Sequence, residues 1–240
     1  MTQLQGARRH LLLAAGAAGA GLLFAGMPGA GALAEERKDE KEVGAVEDLM
    51  REHGVLRRAL LVYSESAPKL RAGGKGVDPA ALNATAKLFR TFGEDYHEKM
   101  LEEPYIFPAV KQTKGPAAAY PDVLVRQHAR GREITEYILS VTGKGAIGTG
   151  DMKPLARAFD GFVRMYENHA AREDTIVFPA WKDALSEKQL DELGDKFEDI
   201  EKQMFGSDGF EDAVKKIGDI ERTLGFADLA RFTAPPPPKA

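Results

Sequence analysis

The chain of 240 residues carries 33 basic and 37 acidic side chains, a formal net charge of −4, and no cysteine. Without thiols there can be no disulfide, thiolate metal site or cysteine nucleophile, so any metal must be held by nitrogen and oxygen. A net negative surface argues against nucleic acid or an anionic membrane as partner, and the length suits one domain with a sizeable core plus some extra structure.

Arg8 and Arg9 precede an uncharged run from Leu11 to Ala34, which closes with Ala32-Leu33-Ala34 before Glu35 and Glu36. A positive end, an apolar middle and a small-residue site predict a secretory signal peptide over 1–34. The paired arginines resemble a twin-arginine signal, the bacterial route for proteins exported already folded, which places the mature chain in the periplasm or outside the cell. The run is long enough to span a bilayer, but its glycines lower its apolarity, which favours cleavage with no stable membrane association afterwards. Two of the 33 basic side chains and none of the acidic ones fall in this segment, leaving 31 against 37 and a net charge of −6. Residues 35–44 read as a charged linker.

From Val46 the positions Val46, Leu49, Met50, His53, Leu56, Leu60 and Tyr63 follow the three-and-four spacing of a helix with one buried face. This helix is expected to fade near Pro68, and Gly73 to Gly76 form a turn. Asp78-Pro79 reads as an N-cap with proline at the first helical position. A second helix turns Leu82, Ala86, Phe89, Gly93, Tyr96, His97 and Met100 inward until Pro104, which is expected to interrupt it; Glu94 and Asp95 read as solvated surface. A third, from Pro121-Asp122 to the glycine-rich 143–150, carries Leu124, Gln127, His128, Gly131, Ile134, Ile138 and Val141. The fourth has Leu155, Phe159, Phe162, Tyr166, His169, Glu173, Ile176 and Ala180 at helical spacing. No strand-like alternation of useful length appears. The pattern predicts an all-α fold, an antiparallel up-and-down four-helix bundle over 45–184. Ser186 with Gln189 forms a capping box opening a helix with Leu190, Leu193, Phe197, Ile200 and Met204 inward. A last helix is expected from about Asp208 to Leu224, giving C-terminal helices over 185–225 and a proline-rich tail over 226–240.

His169 and Glu173, four apart, share one helix face and can hold one cation together. The stretch Tyr166-Glu-Asn-His169 to Phe178-Pro179 is echoed by Tyr96-His97 to Phe107-Pro108, each with a histidine, then a glutamate, then Phe-Pro. Beyond His10 there are four histidines, one on the apolar stripe of each bundle helix. One such histidine alone reads as a satisfied core residue. Four, with Glu102 and Glu173 on the same faces, bury titratable groups that are costly unless paired or bound to a cation. Six nitrogen and oxygen donors exceed what one zinc takes, and imidazole suits neither calcium nor magnesium. Two metals sharing four histidines and two bridging carboxylates fit better, each approaching the two-histidine, one-carboxylate environment of non-haem iron.

At these residues the sequence resembles the hemerythrin-like family, the HHE cation-binding domains, over about Val46 to Ala184. The resemblance implies a four-helix bundle around two non-haem iron ions, oxo- or hydroxo-bridged, that bind or react with dioxygen. It assigns as ligands His53 on the first helix, His97 and Glu102 on the second, His128 on the third, and His169 and Glu173 on the fourth. The family's oxygen carriers have a second histidine four residues after the first on the third helix; here that position is Arg132. Glu98 or Glu133 could replace the lost nitrogen with oxygen, and a more anionic ligand set favours the ferric state and weakens reversible oxygen binding. That shifts the expected role from carrier toward sensor or redox enzyme, acting on dioxygen, peroxide or nitric oxide. A di-iron oxidase or peroxidase and an exported metal-binding or storage protein are the alternatives.

His97 and Glu102 are five apart where His169 and Glu173 are four, which predicts a π-bulge between them. In a regular helix Leu101 would occupy the ligand position instead. Tyr96, Tyr105 and Tyr166 flank the ligands and could hydrogen-bond to them or serve as redox-active groups, although aromatic residues at this spacing are more often core. Trp181 reads as packing.

Overall fold

A computed structural model of the protein describes residues 43–238, so the expected signal peptide and all but the last two positions of the linker lie outside the described residues. Helix α1 spans Ala45–Arg71, and α2, Pro79–Leu88, runs directly into a π-helical stretch, Phe89–Ile106, and then into α3, Phe107–Lys111. Helix α4 spans Pro121–Thr142. Helix α5, Thr149–Arg172, continues through a π-helical turn, Glu173–Val177, into α6, Phe178–Asp183. Helices α7, Glu187–Phe205, and α8, Gly209–Leu224, follow. The described residues contain no strand, so this part of the fold is all helical. No helix among them is long and apolar enough to cross a membrane.

Four helical runs close a ring. α1 packs along α5, α5 along α4, α4 along α2 and its π-helical continuation, and that continuation returns to α1. This order is consistent with the antiparallel bundle expected from the apolar stripes. Helices α7 and α8 pack outside it, against α1 and the α2 run. Arg58 of α1 holds Glu221 of α8 through two of its guanidinium nitrogens, Nε and one terminal nitrogen, at 2.8 and 2.5 Å.

The starts of the helices follow local chemistry. Asp78 accepts from the amides of Ala80 and Ala81, and the Ser186–Gln189 capping box is formed in both directions. Few side chains of α7 are buried, so its cap carries much of its local stability. Ser186→Ala is expected to cost about 1 kcal/mol, measured as faster amide exchange confined to α7.

Pro68 lies in the last turn of α1, near the expected end, but Pro104 does not interrupt its helical run. α1 continues three residues past Pro68. Pro104 lies inside the π-helical stretch, where the widened turn moves the carbonyl one turn back away from its ring. Where the spacing predicts one bulge, π-helical bonding runs over 18 residues. It brings both Leu101 and Glu102 inward and leaves Met100 39% exposed. Met50 and Met204, also at stripe edges, are each 39% exposed.

Candidate metal centre

Each of the four helical runs delivers one histidine to the middle of the ring, and two deliver a glutamate as well. His53 comes from α1, His97 and Glu102 from the long π-helical stretch, His128 from α4, His169 from the last turn of α5, and Glu173 opens the π-helical turn that follows. All six are buried, none more than 3% exposed. Their Nε2 atoms converge in two lobes. In the first, His53 and His97 stand 3.0 Å apart, with Glu102 Oε1 3.3 Å from His97 and Glu173 Oε2 3.6 Å from His53. In the second, His128 and His169 stand 3.1 Å apart, with Glu102 Oε2 3.4 Å from His128 and Glu173 Oε1 3.0 Å from His169. Each glutamate thus gives one oxygen to each lobe.

The repeated Phe-Pro pairs have a matching task. Phe107 stacks on His128 and Phe178 on His53, both with ring centroids 5.4 Å apart. Pro108 and Pro179 open the short helices α3 and α6, where a missing amide proton costs least.

The outward Nδ1 atoms are all engaged. His97 Nδ1 lies 2.6 Å from Glu52, His53 Nδ1 2.7 Å from Asp174, His128 Nδ1 3.0 Å from Glu103 and His169 Nδ1 2.9 Å from Gln127. Carboxylate and amide oxygens only accept, so each Nδ1 carries a proton, and the inward Nε2 is the atom that can give a lone pair to a cation once any proton on it is displaced. Sequence reasoning missed these four partners. Their signal is that each sits directly beside a predicted ligand, at 52, 103, 127 and 174, and supports the histidine of a neighbouring helix.

The charge of the cluster calls for a cation. All four carboxylate oxygens of Glu102 and Glu173 are buried without a hydrogen bond, although imidazole nitrogens stand close by. Burial works against charge on His97, yet Glu102 and Glu52 hold its imidazolium well above the usual range. Burial likewise opposes charge on His128, but Glu98, Glu102 and Glu103 push it up to about 10. A bound cation can supply the same positive charge in place of protons. At a metal–ligand distance of about 2.1 Å, two donors at a right angle stand about 3.0 Å apart and two at the tetrahedral angle about 3.4 Å. Apart from the wider 3.6 Å gap between His53 and Glu173, the spacings in both lobes match these edges, so the residues present fit metal ions.

A family model described as the hemerythrin HHE cation binding domain matches residues 44–181. This chain belongs to that family. Two relatives, an uncharacterized protein of Mycobacterium bovis and one of Mycobacterium tuberculosis, are each 43% identical over 233 residues, covering 94% of this chain and 90% of theirs. That span exceeds the matched hemerythrin domain, so the similarity reaches beyond it. No solved structure matches this chain.

Within the hemerythrin domain, Arg132 does not leave a hole in the second lobe. Its guanidinium donates to Glu98 at 3.1 Å and to Glu103 at 2.7 Å, the same Glu103 that holds His128. Glu98 is buried but joins neither lobe: one oxygen takes Arg132 and the other accepts from the Tyr166 hydroxyl at 2.7 Å. Burial and the nearby Glu98 hold the Tyr166 phenol well above its usual range, so it stays a donor. Gly131 makes this contact possible, because a Cβ there would stand 2.0 Å from the tyrosine oxygen. Glu133 stands apart from both lobes. It lies on the outer face, 64% exposed and paired with Arg130, since one residue past Arg132 turns about 100° further round the helix.

Of the three tyrosines, Tyr166 alone borders the cluster, with its ring 5.4 Å from His169. Tyr96 packs on Phe92 and Phe205, and Tyr105 on Phe197 beneath Lys196, both toward α7. Glu94 is fully buried rather than solvated. Burial pushes its carboxyl up to about 7, against a 2.5 Å hydrogen bond from Thr135. Beside the lobes lies a cavity of about 10 Å³, room for one very small molecule. Leu56, Leu60, Phe89 and Ala170 form its apolar walls, and Glu98 and Tyr166 its polar corner.

Proposed function

We propose that this is an exported di-iron protein, built as a four-helix bundle, that binds or senses dioxygen or a related small oxidant such as peroxide or nitric oxide. The observation carrying this reading is the pair of lobes, each with two inward imidazole nitrogens and one oxygen from each of two shared glutamates that lack any other partner. Such a donor set, nitrogen and oxygen with room for further ligands, is that of non-haem iron. Two iron ions held there would supply electrons to a small oxidant. The chain's own part is to fix the imidazoles through Glu52, Asp174, Glu103 and Gln127, to exclude bulk water, and to admit one small molecule to the cavity beside them. Export rests on the paired arginines and apolar run of the leader.

A second reading, di-iron oxidase or peroxidase, is favoured by one feature. Tyr166 and Glu98, hydrogen-bonded to each other at 2.7 Å, place a polar pair on the cavity wall, where a reversible carrier needs an apolar one. Metal analysis with an optical spectrum of the isolated protein, oxidised, reduced and re-exposed to air, tests both. We expect two irons per chain and near-ultraviolet bands that bleach on reduction and return in air, all lost in His169→Ala. A long-lived oxygenated form supports binding or sensing, and direct return to the ferric form supports the enzyme. A single zinc, or no metal, overturns the di-iron reading.

A further inference from the structure

The cavity beside the lobes is walled by α1, α5 and the long π-helical stretch, and its lining residues differ sharply in exposure. Glu98, Phe89, Tyr166 and Leu60 are buried, and Ala170 and Leu56 are each 7% exposed. Arg57 stands apart, with its side chain 45% exposed. The outlet of the cavity therefore lies at Arg57, on the seam between α1 and α5, and Ala170 is the smallest and most exposed of the α5 residues that line it. Arg57 lies along this seam and is held by Asp174, whose other oxygen takes His53 Nδ1.

We infer that Arg57 is the gate of the ligand path: small oxidants enter between α1 and α5 under its side chain, past Ala170, and its positive charge favours anionic ligands over neutral ones. This rests on the di-iron reading above and specifies how that site is reached. The guanidinium is anchored at one end only, so it can swing outward without disturbing the packed walls. Its charge is paired with Asp174 while the gate is closed and turns to the path only when the side chain swings away from that carboxylate, at the mouth of a chain that is net negative, −4 overall. Arg57 is a positioning and selecting residue, since it touches neither lobe directly.

The test is stopped-flow association of two probes with iron-loaded protein: azide, an anion, with the oxidised form, and nitric oxide, neutral, with the reduced form. Arg57→Ala is expected to slow azide by about tenfold at low salt, with the difference fading as salt screens the charge. The same variant is expected to bind nitric oxide at least as fast as the parent. Arg57→Lys should restore the azide rate, which a purely structural role for the guanidinium would not do. Ala170→Leu, which fills the seam, should slow both probes. If iron loads and azide binds normally but none of these variants changes either rate, the gate is overturned and the di-iron reading stands. If no iron loads into the parent protein, the di-iron reading fails and the gate fails with it.

Discussion

Stripping the metal with a chelator is expected to lower the thermal midpoint by about 10 °C, and the double substitution Glu102→Gln with Glu173→Gln is expected to erase that dependence. A metal present at a thousand times its dissociation constant contributes about 4 kcal/mol, and each kcal/mol moves the midpoint of a domain this size by about 2–4 °C. The physical source is the pair of buried glutamates. Both oxygens of each are orphaned in the absence of a cation, and neither residue has measurable exposure through which water could reach it. Protonated histidines relieve part of the burden on Glu102, which raises the affinities of both His97 and His128 for protons. Amide side chains remove the buried charge altogether, and replacing buried charges is often neutral or stabilising. The metal-free double variant should therefore melt no lower than the metal-free parent, while holding less metal. A parent whose midpoint ignores the chelator would show that the cluster is held by its own hydrogen bonds rather than by a cation.

Gly131→Ala should be the most damaging single methyl addition near the site, on the order of 3 kcal/mol from overpacking together with a lost hydrogen bond to a charged group. The new Cβ would meet the Tyr166 oxygen at 2.0 Å, and the ring carbons behind it at 2.8 and 3.0 Å. Tyr166 would have to swing away, releasing Glu98 to Arg132 alone. Tyr166→Phe removes the closest atom, so the double variant should recover part of the loss: the remaining contacts need shifts of only a few tenths of an ångström. Urea unfolding of the parent, both single variants and the double variant gives the coupling directly. Additive losses would mean that the two residues do not collide and that Gly131 has some other reason to be glycine.

The helices and their buried faces were legible because burial leaves a periodic trace. His53, His97, Glu102, His128, His169 and Glu173 all lie on apolar stripes, and the structure brings them together. The flanks were not legible by the same means. Glu52, Glu103, Gln127 and Asp174 are polar residues at stripe edges, where spacing alone cannot separate a solvated side chain from one that reaches across to the next helix. Glu94 was misread as surface for that reason, and Arg132 appeared as a missing ligand when it is a brace for Glu98 and Glu103. Glu133 and Arg132 differ by one position, and only tertiary packing reveals which of them faces inward. The length of the π-helical stretch also lay beyond spacing. One extra residue between His97 and Glu102 predicts a bulge, but not that the wide winding persists from Phe89 to Ile106.

The four outward bonds have a consequence for how the chain chooses its hand. On α1 and α4 the supporting residue precedes a ligand, Glu52 before His53 and Gln127 before His128. On the two intervening runs it follows one, Glu103 after Glu102 and Asp174 after Glu173. Helices that alternate in direction show opposite senses of rotation when viewed from one end, so these offsets all point the same way round the ring. Glu52 reaches forward to His97, Glu103 to His128, Gln127 to His169 and Asp174 to His53. The apolar stripes would fit a left-turning or a right-turning arrangement equally well. In the mirror arrangement every one of these side chains would face the wrong neighbour, leaving four imidazole protons without acceptors. The polar circle thus selects one chirality of packing, a task for which oily contacts carry no information.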